Sequence, residues 1–153
     1  MAEKLAFPVH IPFVERLGFE LVAVGHGDAE LSVDLTEAHL NSWAVAHGGV
    51  VMTLLDVAMA HAARSVNRKT AEDGATDFGP GVVTVEMKTS FMRPGEGRLR
   101  ASGKLLHRST TMAFCEGSVF DDTGKLCAHA TGTFKYLRAL PGRGLALKPL
   151  QGR

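Results

Sequence analysis

One stretch limits the architecture more than any other. From Gly48 to about Val66 the chain is rich in Ala, Leu and Met, which are good helix formers. The run is apolar nearly all round, and such a helix is buried rather than laid on a surface. Thr53 and Asp56 interrupt its most apolar part, Gly48 to Ala60, so it is too short and too broken to span a bilayer. The rest of the chain must therefore supply cover on several sides.

Strand-like segments provide that cover. Ile11–Leu17 reads as a short helix ending at Gly18. Glu20–Val24 and Glu30–Leu35 read as strands, joined through the turn residues Gly25, Gly27 and Asp28. Thr36–Ala46 is irregular. After the long helix, Asn67–Gly81 reads as a loop, of a length that marks a functional or disordered segment. Val82–Met92, Arg98–Leu106, Met112–Phe120 and Lys125–Leu137 are four further strands. Their regular spacing, with turns at Arg93–Gly97 and Asp121–Gly124, implies an antiparallel meander. The expected fold class is α+β, an antiparallel sheet of about six strands wrapped around one long central helix. A chain of 153 residues makes one domain. Residues 1–140 are assigned to it, and 141–153 to a loosely ordered tail rich in Gly, Pro and basic residues.

Composition removes several functions. Seventeen Lys and Arg stand against 16 Asp and Glu, so no charge excess points to nucleic acid or an anionic membrane as partner. The opening residues MAEKLAFPVHIPF lack the long apolar core of a secretory signal. Cys115 and Cys127 have no metal-type spacing and read as buried free thiols, so the cytoplasm is the expected compartment. The histidines form no zinc-type cluster, and no metal or cofactor is expected. His61 should be packed or at the helix end, His129 packed in its strand, and Arg98 and Arg100 on the surface.

Between Gly48 and Ala63 the single formally charged side chain is Asp56. A buried, unpartnered carboxylate costs several kcal/mol. Asp56 therefore either lies on an exposed stripe or bonds a hydroxyl such as Thr53, or it is a catalytic carboxylate at a cleft or subunit interface. His47-Gly48-Gly49 opens the same helix. A helix N-terminus offers free N–H groups able to polarise a carbonyl. A loop-to-helix turn explains the two glycines equally well.

The run Asn41-Ser-Trp-Ala-Val-Ala-His47-Gly48-Gly49-Val-Val-Met-Thr-Leu-Leu-Asp56 resembles the signature of the PaaI-type hotdog acyl-CoA thioesterases: an Asn, then HGG, then an acid nine residues after the His. Val82-Val-Thr84-Val-Glu86 through Arg93-Pro94 is similar to that family's strand after the helix, and His129-Ala-Thr-Gly132-Thr-Phe134 to its last strand. The resemblance covers roughly residues 15 to 138. It implies the hotdog fold and hydrolysis of an aromatic or medium-chain acyl-CoA to free acid and CoA. By position it implies Asp56 as nucleophile or general base and Gly48 N–H as the carbonyl-polarising donor. His47 and Asn41 would orient the thioester or the water, and Thr84 would hold the water or the carboxylate. Substrate and CoA contacts fall to Gly49, Trp43, Arg93, Pro94, Arg108, Ser109 and Thr110; solvated turns are the plain alternative for those at strand ends. Trp43 either lines the acyl site or is packed. Ala44 stands where many members have Gly, and the Asn67–Gly81 loop is longer than usual.

Helix geometry adds a constraint of its own. Eight residues separate Gly48 from Asp56, about 12 Å along a helix axis. Both groups must lie about 3 Å from one reacting centre. If both act, they come from two chains, with antiparallel helices across a two-fold axis. The resemblance agrees, since such domains dimerise and often pair again into dimers of dimers. Two other functions stay open: a hotdog dehydratase or hydratase, and a non-catalytic acyl-CoA sensor.

Overall fold

The computed structural model describes residues 4–137, and the tail expected from residue 141 lies outside them. In chain order the elements are α1 (Pro12–Arg16), β1 (Glu20–Gly25), β2 (Asp28–Asp34), α2 (Gly48–Ser65), β3 (Lys69–Thr70), β4 (Thr76–Asp77), β5 (Val82–Phe91), β6 (Arg98–Arg108), β7 (Met112–Phe120) and β8 (Leu126–Tyr136). The main sheet is six-stranded in the order β1-β2-β6-β7-β8-β5, and all its pairs are antiparallel. The sheet curls round α2, whose Leu54, Leu55, Ala58, Met59 and Ala62 are fully buried. Each such Leu or Met contributes about 1.5–3 kcal/mol of burial. The helix presses closest at Gly103, where a Cβ would stand 2.4 Å from the Ala58 backbone. No described helix is long and apolar enough to cross a membrane.

The hairpin between β1 and β2 follows the turn residues. His26 and Gly27 both have positive φ, 55° and 86°, the geometry of a type I′ connection. The expected meander is only partly present. β6, β7 and β8 form one, but β5 lies beyond β8 at the edge of the sheet. Arg93–Gly97 is therefore a crossover, not a hairpin turn. The N–H groups of Met92 and Arg93 both donate to Cys127 O, at 2.8 and 3.1 Å. These bonds carry the chain across the start of β8 instead of folding it back onto β5. The expected loop Asn67–Gly81 also holds structure, since β3 and β4 pair as a small hairpin.

A single chain does not cover α2 completely. A stripe of Gly49, Met52, Thr53, Asp56, Ala60 and Arg64 stays partly or fully exposed. Beside it runs edge strand β5, whose Val83, Val85 and Phe91 are 44, 55 and 54% exposed. The one helix that should be buried all round is thus left open along one line, and its only acid sits on that line.

Candidate active site

Asp56 is held from the sheet. The Thr84 hydroxyl donates to Asp56 Oδ1 at 2.6 Å. Thr53, the helical neighbour considered as a partner, instead donates to Gly49 O at 2.7 Å. A β-bulge between Thr84 and Glu86 shifts the register of β5 against β8. Bulges re-aim side chains next to functional sites, and this one leaves Thr84 and Met87 both facing α2. Burial pushes the Asp56 carboxyl above its ordinary range, and the Thr84 hydrogen bond partly opposes the shift. A raised carboxyl at a cleft is the profile of a general base or nucleophile. The carboxylate opens into a groove of about 450 Å³ lined by Ile11, Phe13, Val14, Met52, Val57 and Met87.

The N-terminus of α2 is built by local bonds. His47 is the N-cap, and its Nδ1 accepts from Gly49 N–H at 2.9 Å. A backbone N–H can only donate, so in this arrangement Nδ1 is unprotonated and Nε2 carries the hydrogen. The His47 ring is exposed, and its Nε2–H has no acceptor among the described residues, so it can meet a ligand. Gly48 N–H has no acceptor among the described residues. Gly48 lines a second groove of about 340 Å³, with Asn41, Phe91, Met92, Arg93, Pro94 and Cys127 among others.

Asn41 organises the loop before the cap. Its Oδ1 accepts from Trp43 N–H at 2.9 Å, and its N–H bonds Val45 O at 2.8 Å. This tight turn forces Ala44 to φ 59°, a left-handed conformation that costs a non-glycine residue about 1–2 kcal/mol. Glycine there forfeits about 0.4–1 kcal/mol through the freer unfolded chain. Ala44→Gly is therefore expected to stabilise the fold by about 0.5–1 kcal/mol, a Tm rise of about 2 °C. Calorimetry checks this, and a lower Tm would mean the turn is unstrained.

The structure separates the remaining candidates. Arg93 and Pro94 join Asn41 and Gly48 at the second groove. Trp43 is 82% exposed; it is not packed, and it lines neither groove within one chain. Arg108 donates to Asn67 Oδ1 at 2.6 Å, past the far end of α2 from Gly48. Ser109 Oγ accepts from Met112 N–H at 3.0 Å within its own turn, next to Thr110. His129 is not packed in the core. It faces the outer side of the sheet, 3.4 Å from Glu116. His61 is buried, and its Nδ1 lies 2.8 Å from Val57 O. Both cysteines are free and buried, and burial pushes the Cys115 thiol up to about 12, so it is inert at neutral pH. Sequence reasoning missed Ile11, Phe13, Met52 and Met87 as groove residues: Ile11 and Phe13 lie outside the signature segments, and Met52 and Met87 lie inside them at positions to which the resemblance gives no role.

The comparisons with known proteins bear on this geometry. The chain belongs to the thioesterase superfamily, whose family model matches residues 44–128. With its hotdog fold it is a thioester hydrolase on the PaaI pattern. The medium/long-chain acyl-CoA thioesterase YigI of Escherichia coli K12 is 27% identical over 135 residues, covering 84% of this chain and 87% of YigI. The structure of the conserved protein PA5202 from Pseudomonas aeruginosa is 29% identical, with a TM-score of 0.73 over 84% of this chain and 95% of that one. A variant of the phenylacetic acid degradation protein PaaI from Thermus thermophilus is 26% identical, with a TM-score of 0.70 over 83% of this chain and 100% of that one.

Proposed function

We propose that the protein is an acyl-CoA thioesterase that acts as a dimer, each site combining Asp56 of one chain with the Gly48 N–H of the other. The observation that carries this reading is a mismatch. A raised carboxyl, gripped by Thr84 at 2.6 Å, and an unclaimed helix N-terminal N–H stand on one regular helix, about 12 Å apart along its axis. Antiparallel pairing of two such helices brings each donor to the other chain's acid, with the axis near Met52, midway between them. The uncovered stripe of α2 and the apolar edge strand β5 support it, because exposed apolar surface of this kind seeks a partner.

In this site Asp56 takes a proton from water, and the oxygen attacks the thioester carbonyl carbon. The developing oxyanion meets Gly48 N–H, a contribution of about 3 kcal/mol for one donor. The carbon–sulfur bond breaks, and the proton passes to the leaving thiolate of CoA. Direct attack by the carboxylate, giving a mixed anhydride, is the variant mechanism. Single turnover in labelled water separates the two, since only direct attack puts label into the Asp56 carboxylate. Further pairing into a dimer of dimers, a reducing cytoplasmic setting for the two free thiols, and CoA contacts from Gly49, Trp43, Arg93, Pro94, Arg108, Ser109 and Thr110 complete the reading.

Release of free thiol from decanoyl-CoA tests the function. A saturated chain gives a hydratase or dehydratase nothing to act on, and a sensor would bind it without turnover. Thr84 supplies a finer check. Thr84→Val removes the hydrogen bond that holds the Asp56 carboxyl down, so its pKa rises further. The acid limb of kcat/KM, which requires the carboxylate, should then move to higher pH. An unmoved limb would show that Thr84 does not act on the titrating group.

A further inference from the structure

The groove beside Asp56 has one wall that comes from outside the signature segments. Ile11, Phe13 and Val14 belong to or adjoin α1, while Met52, Val57 and Met87 come from α2 and β5. Apart from Asp56, its polar side chains are Thr53 and Thr84, and both already have partners, at Gly49 O and Asp56. Both hydroxyl protons are thus taken, so no side chain in the groove has a donor to spare, and the acceptors left lie beside Asp56 rather than along the Ile11, Phe13 and Val14 wall. Two of its walls are methionines, unbranched side chains that adapt to the shape of what they touch.

Phe13 is the odd residue in this wall. It is 61% exposed, a large apolar ring at the lip of an apolar groove. Its mount is firm. Val14, next to it, is 2% exposed. The buried His39 ring accepts Thr36 N–H at Nδ1, so its Nε2–H donates to Leu17 O at the end of α1, 2.7 Å away. Ile11 N–H bonds the Glu15 carboxylate at 3.3 Å across the same turn. The backbone that carries the ring is therefore fixed beside the groove.

We infer that this groove seats the acyl group, that it takes plain hydrocarbon acyl groups rather than hydroxylated ones, and that Phe13 sets their length by closing the far end. The inference rests on the reading of Asp56 as the group acting on the thioester: a carbonyl at Asp56 sends its acyl chain along the adjoining apolar wall. A hydroxyl carried into that wall loses its water partners and gains none. The reach of Phe13 follows from its place at the lip, where a short acyl group does not arrive.

The test compares the wild-type chain with Phe13→Ala and Phe13→Leu on saturated acyl-CoAs from butyryl to tetradecanoyl, with ω-hydroxydecanoyl-CoA beside decanoyl-CoA. For the wild type, the hydroxyl should lower kcat/KM by roughly 10–100-fold. Phe13→Ala should lower kcat/KM for the best chain about tenfold and move the optimum to longer chains. Butyryl-CoA should change less than about twofold, and Phe13→Leu should lie between. Light scattering accompanies each variant. An unchanged chain-length profile overturns the inference, as does a change of oligomeric state with Phe13→Ala, which would make Phe13 an interface residue. If the wild type hydrolyses none of the substrates, the thioesterase reading itself fails. Calorimetric binding of decanoyl-CoA then tests the seat alone, and equal binding by wild type and Phe13→Ala overturns it.

Discussion

Asp56→Asn should abolish turnover and stabilise the fold at once, a pairing of effects that few substitutions give. Asparagine keeps the size of the side chain and can still accept the Thr84 hydroxyl, but it cannot take a proton from water. The loss in kcat is expected to reach about 1000-fold, as for removal of a well-placed general base. The stability gain follows from linkage. Burial raises the folded-state pKa of Asp56 above its ordinary value. Between that ordinary value and the raised one, the folded chain holds a proton that the unfolded chain has released. Stability therefore falls as pH rises through this window, and above it the penalty is complete. Asparagine carries no charge and escapes the penalty, so its Tm at neutral pH should exceed that of wild type, while the two converge in acid. Thiol release and calorimetry on the same samples read both effects. Wild-type rates in the variant would remove Asp56 from the chemistry. A lower Tm would remove the claim that its charge is held at a cost.

The opposition between stability and activity also explains how much could be read from the chain without a fold. A lone acid in an apolar helix breaks the local pattern, and places where a sequence breaks its own pattern are where function is expected. The helix, the β1–β2 hairpin and the four later strands follow from composition and turn residues, which act over a few positions. What holds Asp56 does not, and only the family resemblance names Thr84 for that place. Thr84 is 28 residues further on, and it reaches the acid because β5 sits at the sheet edge and bulges there. Periodicity identifies a strand but not its neighbour, so the same reading that found β5 placed it in a meander. Trp43 illustrates a related limit. An aromatic beside a motif invites packing, yet the Asn41 turn points it into solvent. The α1 wall of the groove is illegible for a third reason: α1 has five residues, too few for any period to single out Phe13.

The donor half of the site is open to an equally sharp test, because a backbone N–H can be deleted at this one place without breaking the helix. Gly48 is the first residue of α2, where proline is favoured and its missing N–H leaves no intrahelical bond unmade. His47 before it is extended, at φ −61° and ψ 137°, which suits a residue preceding proline. A Cβ at Gly48 meets only the Phe91 ring, at 3.5 Å. Gly48→Pro should therefore fold and pair normally, while kcat/KM falls about 100- to 1000-fold, because the ring Cδ stands where the oxyanion donor was. Full activity in this variant would dismiss the N–H. The decisive step is to mix Gly48→Pro with Asp56→Asn and let the subunits exchange. Neither variant has a working site alone. In a mixed dimer, the Asp56 of the proline chain faces the Gly48 of the asparagine chain, and that site is intact; its mate carries both lesions. Random pairing at equal amounts makes half the dimers mixed, so about a quarter of the wild-type activity should return. If acid and donor served one chain's own substrate, each mixed dimer would hold two crippled sites and nothing would return. Mixing that leaves the rate at the level of the separate variants would thus refute the shared site, even with Asp56 and Gly48 each shown to be essential.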